Sequence, residues 1–174
     1  SLPSQFGTTW TKLEYLYLDS NELKTLPPQF GEWKELEEID LNSNQLEQIP
    51  DNFLSSCKNL EYCDLRSNQI TSIPESFLKS NPELEWFYIG NNQLESLPDK
   101  FLDGCADLIE IDLSSNKLNT LEEGFLNHCS ELQKVFLGNN NFKRIGSENE
   151  YIALQNFFKD REWRPKIKMF MNQT

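Results

Sequence analysis

The residues of this chain best suited to chemistry are carboxylates and aromatic rings that recur at one interval. Asp40 and Asp64 stand 24 residues apart, and Asp112 follows two intervals later. Glu38 and Glu110 each lie two residues before an aspartate. Tyr62, Trp86 and Tyr88 fill the matching slots between them, Tyr15 and Tyr17 fill them earlier, and Phe136 fills one later. Arg66 lies two residues after Asp64. If one interval separates neighbouring strands, Asp40 and Asp64 sit roughly 5 Å apart. Three chemistries suit such a pair: the two carboxylates of a retaining glycosidase, a calcium site, or a surface that steers and pairs Lys and Arg side chains.

The rest of the sequence favours the third. Calcium takes about six to eight oxygens, and an open row of acids offers no cage. Sugar hydrolysis needs a deep pocket that nothing here implies. His128 is the single histidine, with no second histidine or nucleophile motif beside it, and neither G-x-x-x-x-G-K nor G-x-S-x-G occurs. The chain is therefore not expected to be an enzyme or to carry a metal or cofactor. Exposed Trp and Tyr anchor protein interfaces, although both also suit strands, and a row of acids also serves as a solvated face. The expected partner-binding residues are Tyr15, Tyr17, Glu38, Asp40, Tyr62, Asp64, Arg66, Trp86, Tyr88, Glu110, Asp112 and Phe136. Trp86, Tyr88 and Tyr62 would be the apolar anchors, and the carboxylates would receive a basic protein.

These residues must be positioned by repeating elements. Units start at Leu13, Leu36, Leu60, Leu84, Leu108 and Leu132, and each reads L-x-x-L-x-L-x-x-N-x-L-x-x-L/I with substitutions. Positions 4 and 6 alternate with outward residues, as a short strand requires. An asparagine recurs at position 9 as Asn21, Asn44, Asn68, Asn92, Asn116 and Asn140. Its amide can both donate and accept, so it is expected to satisfy buried turn backbone. Phe6, Phe30, Phe53, Phe77, Phe101 and Phe125 form a second row, expected as an apolar spine. Pro27, Pro50, Pro74 and Pro98 favour extended or turn backbone, and Glu122 breaks that row in the fifth unit.

The motifs LEYLYLDSNEL (13–23), LEEIDLNSNQL (36–46), LEYCDLRSNQI (60–70), LEWFYIGNNQL (84–94), LIEIDLSSNKL (108–118) and LQKVFLGNNNF (132–142) resemble the leucine-rich repeat family. The resemblance implies an α/β solenoid. A curved parallel β-sheet would line its concave face, with short helical, 3-10 or extended segments on the convex face. It also implies a protein-binding role on the concave side. Residues 1–145 would be the solenoid, beginning with a partial repeat at 1–12. Residues 146–174 would be a helical cap and tail: Ser147-Glu148-Asn149-Glu150 reads as a capping box, followed by Tyr151, Leu154, Phe157 and Phe158 at helical spacing.

Composition sets further bounds. The net charge is −12, with +1 on residues 147–174 and −13 on the rest, which argues against nucleic acid. No apolar run reaches the roughly 18 residues of a membrane span. Cys57, Cys105 and Cys129 share one repeat position and Cys63 fills a core slot, as small buried thiols do. The cysteine-rich end caps of extracellular members are not seen, so a reducing, intracellular setting is expected, against the lone sequon at Asn172. Leu2-Pro3-x-x-Phe6 matches the second half of a repeat, so the chain is expected to come from a longer protein or to have lost a leader. The resemblance extends to bacterial effectors, the expected source, and to substrate-selecting parts of larger enzymes such as ubiquitin ligases or GTPases. A monomer is expected, with self-association through the apolar, basic tail 166–171 as the rival.

Overall fold

The computed structural model describes residues 1–28, 30–121, 125–126 and 128–142, together with the backbone of 168–170. Its strands are β1 (Tyr15–Tyr17), β2 (Glu38–Asp40), β3 (Tyr62–Asp64), β4 (Trp86–Tyr88), β5 (Glu110–Asp112), β6 (Lys134–Phe136) and β7 (Lys168–Phe170). All neighbours pair in parallel, in chain order, as one sheet. This is the expected solenoid. Each of β1 to β6 spans repeat positions 3 to 5, and the central residue points inward. Leu16, Ile39, Cys63, Phe87, Ile111 and Val135 are all buried there. The chain then leaves the sheet through a left-handed residue at position 8: Ser20, Ser43, Ser67, Asn91, Ser115 and Asn139 all have φ between 54° and 57°. Asparagine tolerates that conformation better than most side chains.

The asparagine at position 9 ties each turn to the one before it. Asn68 donates from Nδ2 to the carbonyls of Leu65 and Arg66 in its own turn and to Leu41 in the preceding one, at 3.0–3.1 Å. Its Oδ1 accepts the Leu46 amide at 3.0 Å. Asn44, Asn92 and Asn116 repeat the pattern, and Asn140 keeps its main contacts. Asn21 lacks the contact to a preceding repeat: among the described residues it donates to Leu18 and Asp19 of its own turn, and it is exposed.

On the opposite side Phe6, Phe30, Phe53, Phe77 and Phe101 stack with centroids 5.9–6.3 Å apart. Phe87 wedges edge-on between Phe77 and Phe101. The four prolines start single turns, in which the Phe30, Phe53, Phe77 and Phe101 amides donate to the proline carbonyl three residues back. These described convex segments are turns rather than helices; Glu122 lies outside the described residues. Gly31 has φ 101°, and a Cβ there would fall 2.5 Å from the Leu54 amide nitrogen, so a side chain would collide with the next turn. All four cysteines are buried. The shared cysteine slot is filled by Trp33 in the first repeat, whose Nε1 donates to Gly7 at 2.8 Å.

The expected helix over 147–163 lies outside the described residues. The tail does not hang free at its centre: the backbone of Lys168–Phe170 is β7, in register with Lys134–Phe136 at the sheet edge. No strand motif of the repeat type marks that segment.

The asparagine ladder should dominate stability. Asn68→Ala strands one amide and several buried carbonyls, each worth about 1–3 kcal/mol when left unpaired. A loss of roughly 3 kcal/mol is expected in urea unfolding. Asn21→Ala, with exposed partners, should change stability by under about 0.5 kcal/mol.

Candidate functional site on the concave sheet face

Because position 4 is buried, positions 3 and 5 of every strand face out from the sheet. The register places Tyr15, Glu38, Tyr62, Trp86, Glu110 and Lys134 in one row. Tyr17, Asp40, Asp64, Tyr88, Asp112 and Phe136 form the next. The predicted residues therefore share one face, as the interval implied. They do not all share one role.

Three aspartates of the second row are held alike by the backbone. In each, Oδ1 accepts the amide two residues on: Asn42 to Asp40 at 2.8 Å, Arg66 to Asp64 at 2.9 Å, Ser114 to Asp112 at 2.8 Å. The side chain at that second residue differs, and so does each aspartate's state. Asn42 Nδ2 donates to Asp40 at 2.7 Å. Asp40 is pushed above the usual carboxylate range by burial, which those Asn42 hydrogen bonds partly oppose. Arg66 Nε reaches both oxygens of Asp64 at 3.0 and 2.9 Å, and Nη2 closes the pair. The guanidinium also lies 4.8 Å from the centre of the Tyr88 ring. Hydrogen bonding to Asp64 raises Arg66 above its ordinary value.

Asp64 is consequently 0% exposed. The sequence placed it among the carboxylates available to a basic partner, and that placement is corrected here. Its charge is already met by the chain's own arginine, a donor two residues away whose rotamer no spacing rule reveals. Glu110 is similarly engaged, accepting Lys134 Nζ at 2.6 Å. Arg66 remains 43% exposed and faces the site.

Tyr62, Arg66, Tyr88, Glu110, Asp112 and Phe136 surround a hollow of about 440 Å³. Tyr62 and Tyr88 meet edge-to-face at 5.7 Å, and the Tyr62 hydroxyl donates to Asp64 at 3.2 Å. Gly90 lets the Asp112 carboxylate pack against the backbone: a Cβ there would stand 2.8 Å from Asp112 Oδ2. Trp86 is half-buried beside Tyr62, one strand over, outside this lining. Tyr15 and Tyr17 stand apart near the first strand, 48% and 56% exposed, with hydroxyls donating to Glu37 and Glu38.

One feature of this face was missed in the sequence. Position 2 carries Glu14, Glu37, Glu61 and Glu85 in four successive repeats. Each of the last three donates its amide to the carbonyl of the one before, at 2.8–2.9 Å, so the row is in register. Glu61 is raised above the usual range by desolvation, then by Glu37 and Glu85. The repeated letter was the available signal. His128, on the convex side, lies 3.7 Å from Asp103, both exposed. Among the described residues no three His, Cys, Asp or Glu side chains converge to hold a metal, and no helix is long and apolar enough to cross a membrane.

Residues 34–94 and 82–142 match the leucine rich repeat family model, and residues 11–56 match that of leucine rich repeats in two copies. The chain belongs to the leucine-rich repeat family. No curated protein matches it. Among solved structures it is similar to the APL1 leucine-rich repeat domain, with a TM-score of 0.74 and 21% identity, covering 80% of this chain and 36% of that one. It is similar to the LRIM1/APL1C complex at TM-score 0.74 and 21% identity, covering 80% of this chain and 26% of that one. A third likeness is to the Toll–Spatzle complex of Drosophila development and innate immunity, at TM-score 0.67 and 25% identity, covering 80% of this chain and 18% of that one. The chain thus spans well under two thirds of each. None of the three is described as a bacterial effector, and that expected source is unsupported. Domains of this family generally mediate protein–protein interaction and are typically not enzymes.

Two tests follow from this geometry. Arg66→Ala leaves the Asp64 carboxylate without its counter-charge; because Arg66 is half-exposed, the loss should be about 1–2 kcal/mol rather than the larger cost of a fully buried pair, read by chemical denaturation. Alkaline titration tests the tyrosines. Tyr88 is pushed up to about 12 by burial and then Glu110, Tyr15 to about 12 by its hydrogen bond to Glu37, and Tyr62 and Tyr17 are also raised. Above the ordinary tyrosine pKa of about 10 the unfolded chain releases protons that the folded chain retains, so stability should fall as pH rises from about 10 to 12. Phenolate absorbance of the folded protein should lag that of the urea-unfolded protein across the same range.

Proposed function

We propose that this chain is a protein-recognition module whose concave sheet face binds a partner with a basic surface. The observation that carries the reading is the set of half-exposed rings on non-core strand positions. Tyr62 stands on β3, Trp86 and Tyr88 on the adjacent β4, and Phe136 on β6 beyond β5, three of the four around an open hollow. Rings held in this way supply large contact area at small entropic cost, as interface anchors do. The acidic surroundings, Glu14, Glu37, Glu61 and Glu85 at the entry to the strands and Asp40 and Asp112 within them, steer a positively charged partner. Asp64, already neutralised, acts by holding Arg66 in place.

An intracellular, reducing setting is part of the proposal. The four buried cysteines support it, and burial pushes the Cys57 thiol up to about 12, which keeps it a packing residue.

The test is capture of a partner by the intact chain and by Trp86→Ala, alone and with Tyr88→Ala, at low and high salt. Trp86→Ala should weaken binding by at least about 2 kcal/mol. Raised salt should slow association, because it screens exposed charges beyond about 10 Å at 0.1 M. Binding indifferent to both changes would remove the concave face from consideration.

A further inference from the structure

We infer that Asp112, with Phe136 beside it, is a built receptor for an arginine side chain presented by a protein partner. The inference rests on the concave face being the binding face and names the chemistry one part of it accepts.

The chain contains its own template for this site. Two repeats earlier, Asp64 holds the Arg66 guanidinium through both carboxylate oxygens, and the ring of the next strand, Tyr88, lies under it at 4.8 Å. Tyr88 is the register partner of Asp64. Phe136 is the register partner of Asp112 in the same way. The backbone sets both aspartates alike, through the amide two residues on. At that residue arginine gives way to Ser114, which is too short to carry a cation to the carboxylate; Phe136 replaces Tyr88 and Glu110 replaces Tyr62 around it. Among the described residues, the Asp112 carboxylate receives one hydrogen bond, from the Ser114 amide. The carboxylate packs over Gly90, where a Cβ would stand 2.8 Å from its other oxygen.

Room and charge agree. The positions flanking Ser114 on the adjacent repeats are Gly90 and Gly138, and the hollow of about 440 Å³ lies against Asp112, Tyr88 and Phe136. Arg66 is neutralised by Asp64, and Glu110 by Lys134. Among the described residues, Asp112 is therefore the carboxylate of the hollow that no cation meets. A guanidinium, planar and able to donate through two nitrogens while lying on a ring, fits this arrangement better than an ammonium does. A lysine would satisfy the charge but neither the paired oxygens nor the aromatic wall.

The experiment is an NMR titration of the whole chain with blocked Gly-Arg-Gly peptide, the same peptide with lysine, and the same with citrulline, the neutral isostere of arginine. The arginine peptide should bind saturably, with shifts centred on the amides of Gly90, Asp112, Ser114 and Phe136. Lysine should bind at least fivefold more weakly and citrulline not measurably. Asp112→Asn should weaken arginine binding at least tenfold, whereas Asp103→Asn, on the convex side beside His128, should leave it unchanged. Ser114→Arg should fill the seat from within, as Arg66 does at Asp64, and abolish peptide binding in a protein whose spectrum remains folded. Equal binding of lysine and arginine, with shifts spread along Glu14, Glu37, Glu61 and Glu85, would overturn the inference, as would undiminished binding by Asp112→Asn. Failure of the broader reading looks different: partner capture indifferent to Trp86→Ala overturns the concave face as the partner site, whereas capture that needs Trp86 but ignores Asp112→Asn overturns the arginine seat alone.

Discussion

The asparagine at position 9 of each repeat is the constraint on which the rest of this molecule depends. A strand of three residues cannot hold itself in place, and the left-handed turn that follows leaves buried backbone groups without partners. One amide side chain answers both problems, since it bonds the turn it belongs to and the turn before it. Its reach fixes the distance and register between repeats, and buried groups left unpaired at this point are costly enough to enforce the geometry. The phenylalanine stack on the other side then fills the space that this spacing defines. Solenoids of this kind are stabilised by contacts between neighbouring repeats, and here those contacts are the amide ladder and the ring ladder.

A fixed register turns the outer positions of the strands into a grid. Adjacent side chains stand about 5 Å apart along each row, so their identities decide which groups neutralise each other and which are left to solvent or a partner. The three aspartates show this most clearly. Asp40 is tempered by Asn42, Asp64 is closed off by Arg66, and Asp112 is left with a serine. The same backbone seat yields a half-buried acid, an internal ion pair and an open carboxylate. Aromatic rings in the neighbouring strands make the difference useful, since they wall a hollow beside the open one. The face is thus acidic overall but locally differentiated.

Much of this was legible in the sequence because it is written positionally. The repeat start points, the inward residues of the strands, the asparagine row and the phenylalanine row all recur at fixed places, and the structure puts them where the spacing says. The candidate face was legible for the same reason, since residues such as Tyr62, Trp86 and Asp112 occupy slots with no core duty. What could not be read was pairing. Whether Arg66 turns onto Asp64 or into solvent depends on a rotamer and on the Tyr88 ring beneath it, and neither leaves a mark on spacing. Lys134 closing onto Glu110 is the same kind of event. The strand at Lys168–Phe170 was missed for a different reason: it pairs through backbone groups that every residue possesses, and it carries none of the repeat's leucines.

The most direct test of the central claim, that the rings and open carboxylate of the concave face contact the partner, is hydroxyl-radical footprinting of the chain alone and with its bound partner. This reads side-chain protection residue by residue without altering the protein. The account expects Tyr62, Trp86, Tyr88 and Phe136 to lose reactivity in the complex, while Trp10, exposed near the first turn, keeps its own. Protection confined to the convex turns, or to Trp10, with the four rings of the sheet as reactive as before, would contradict it.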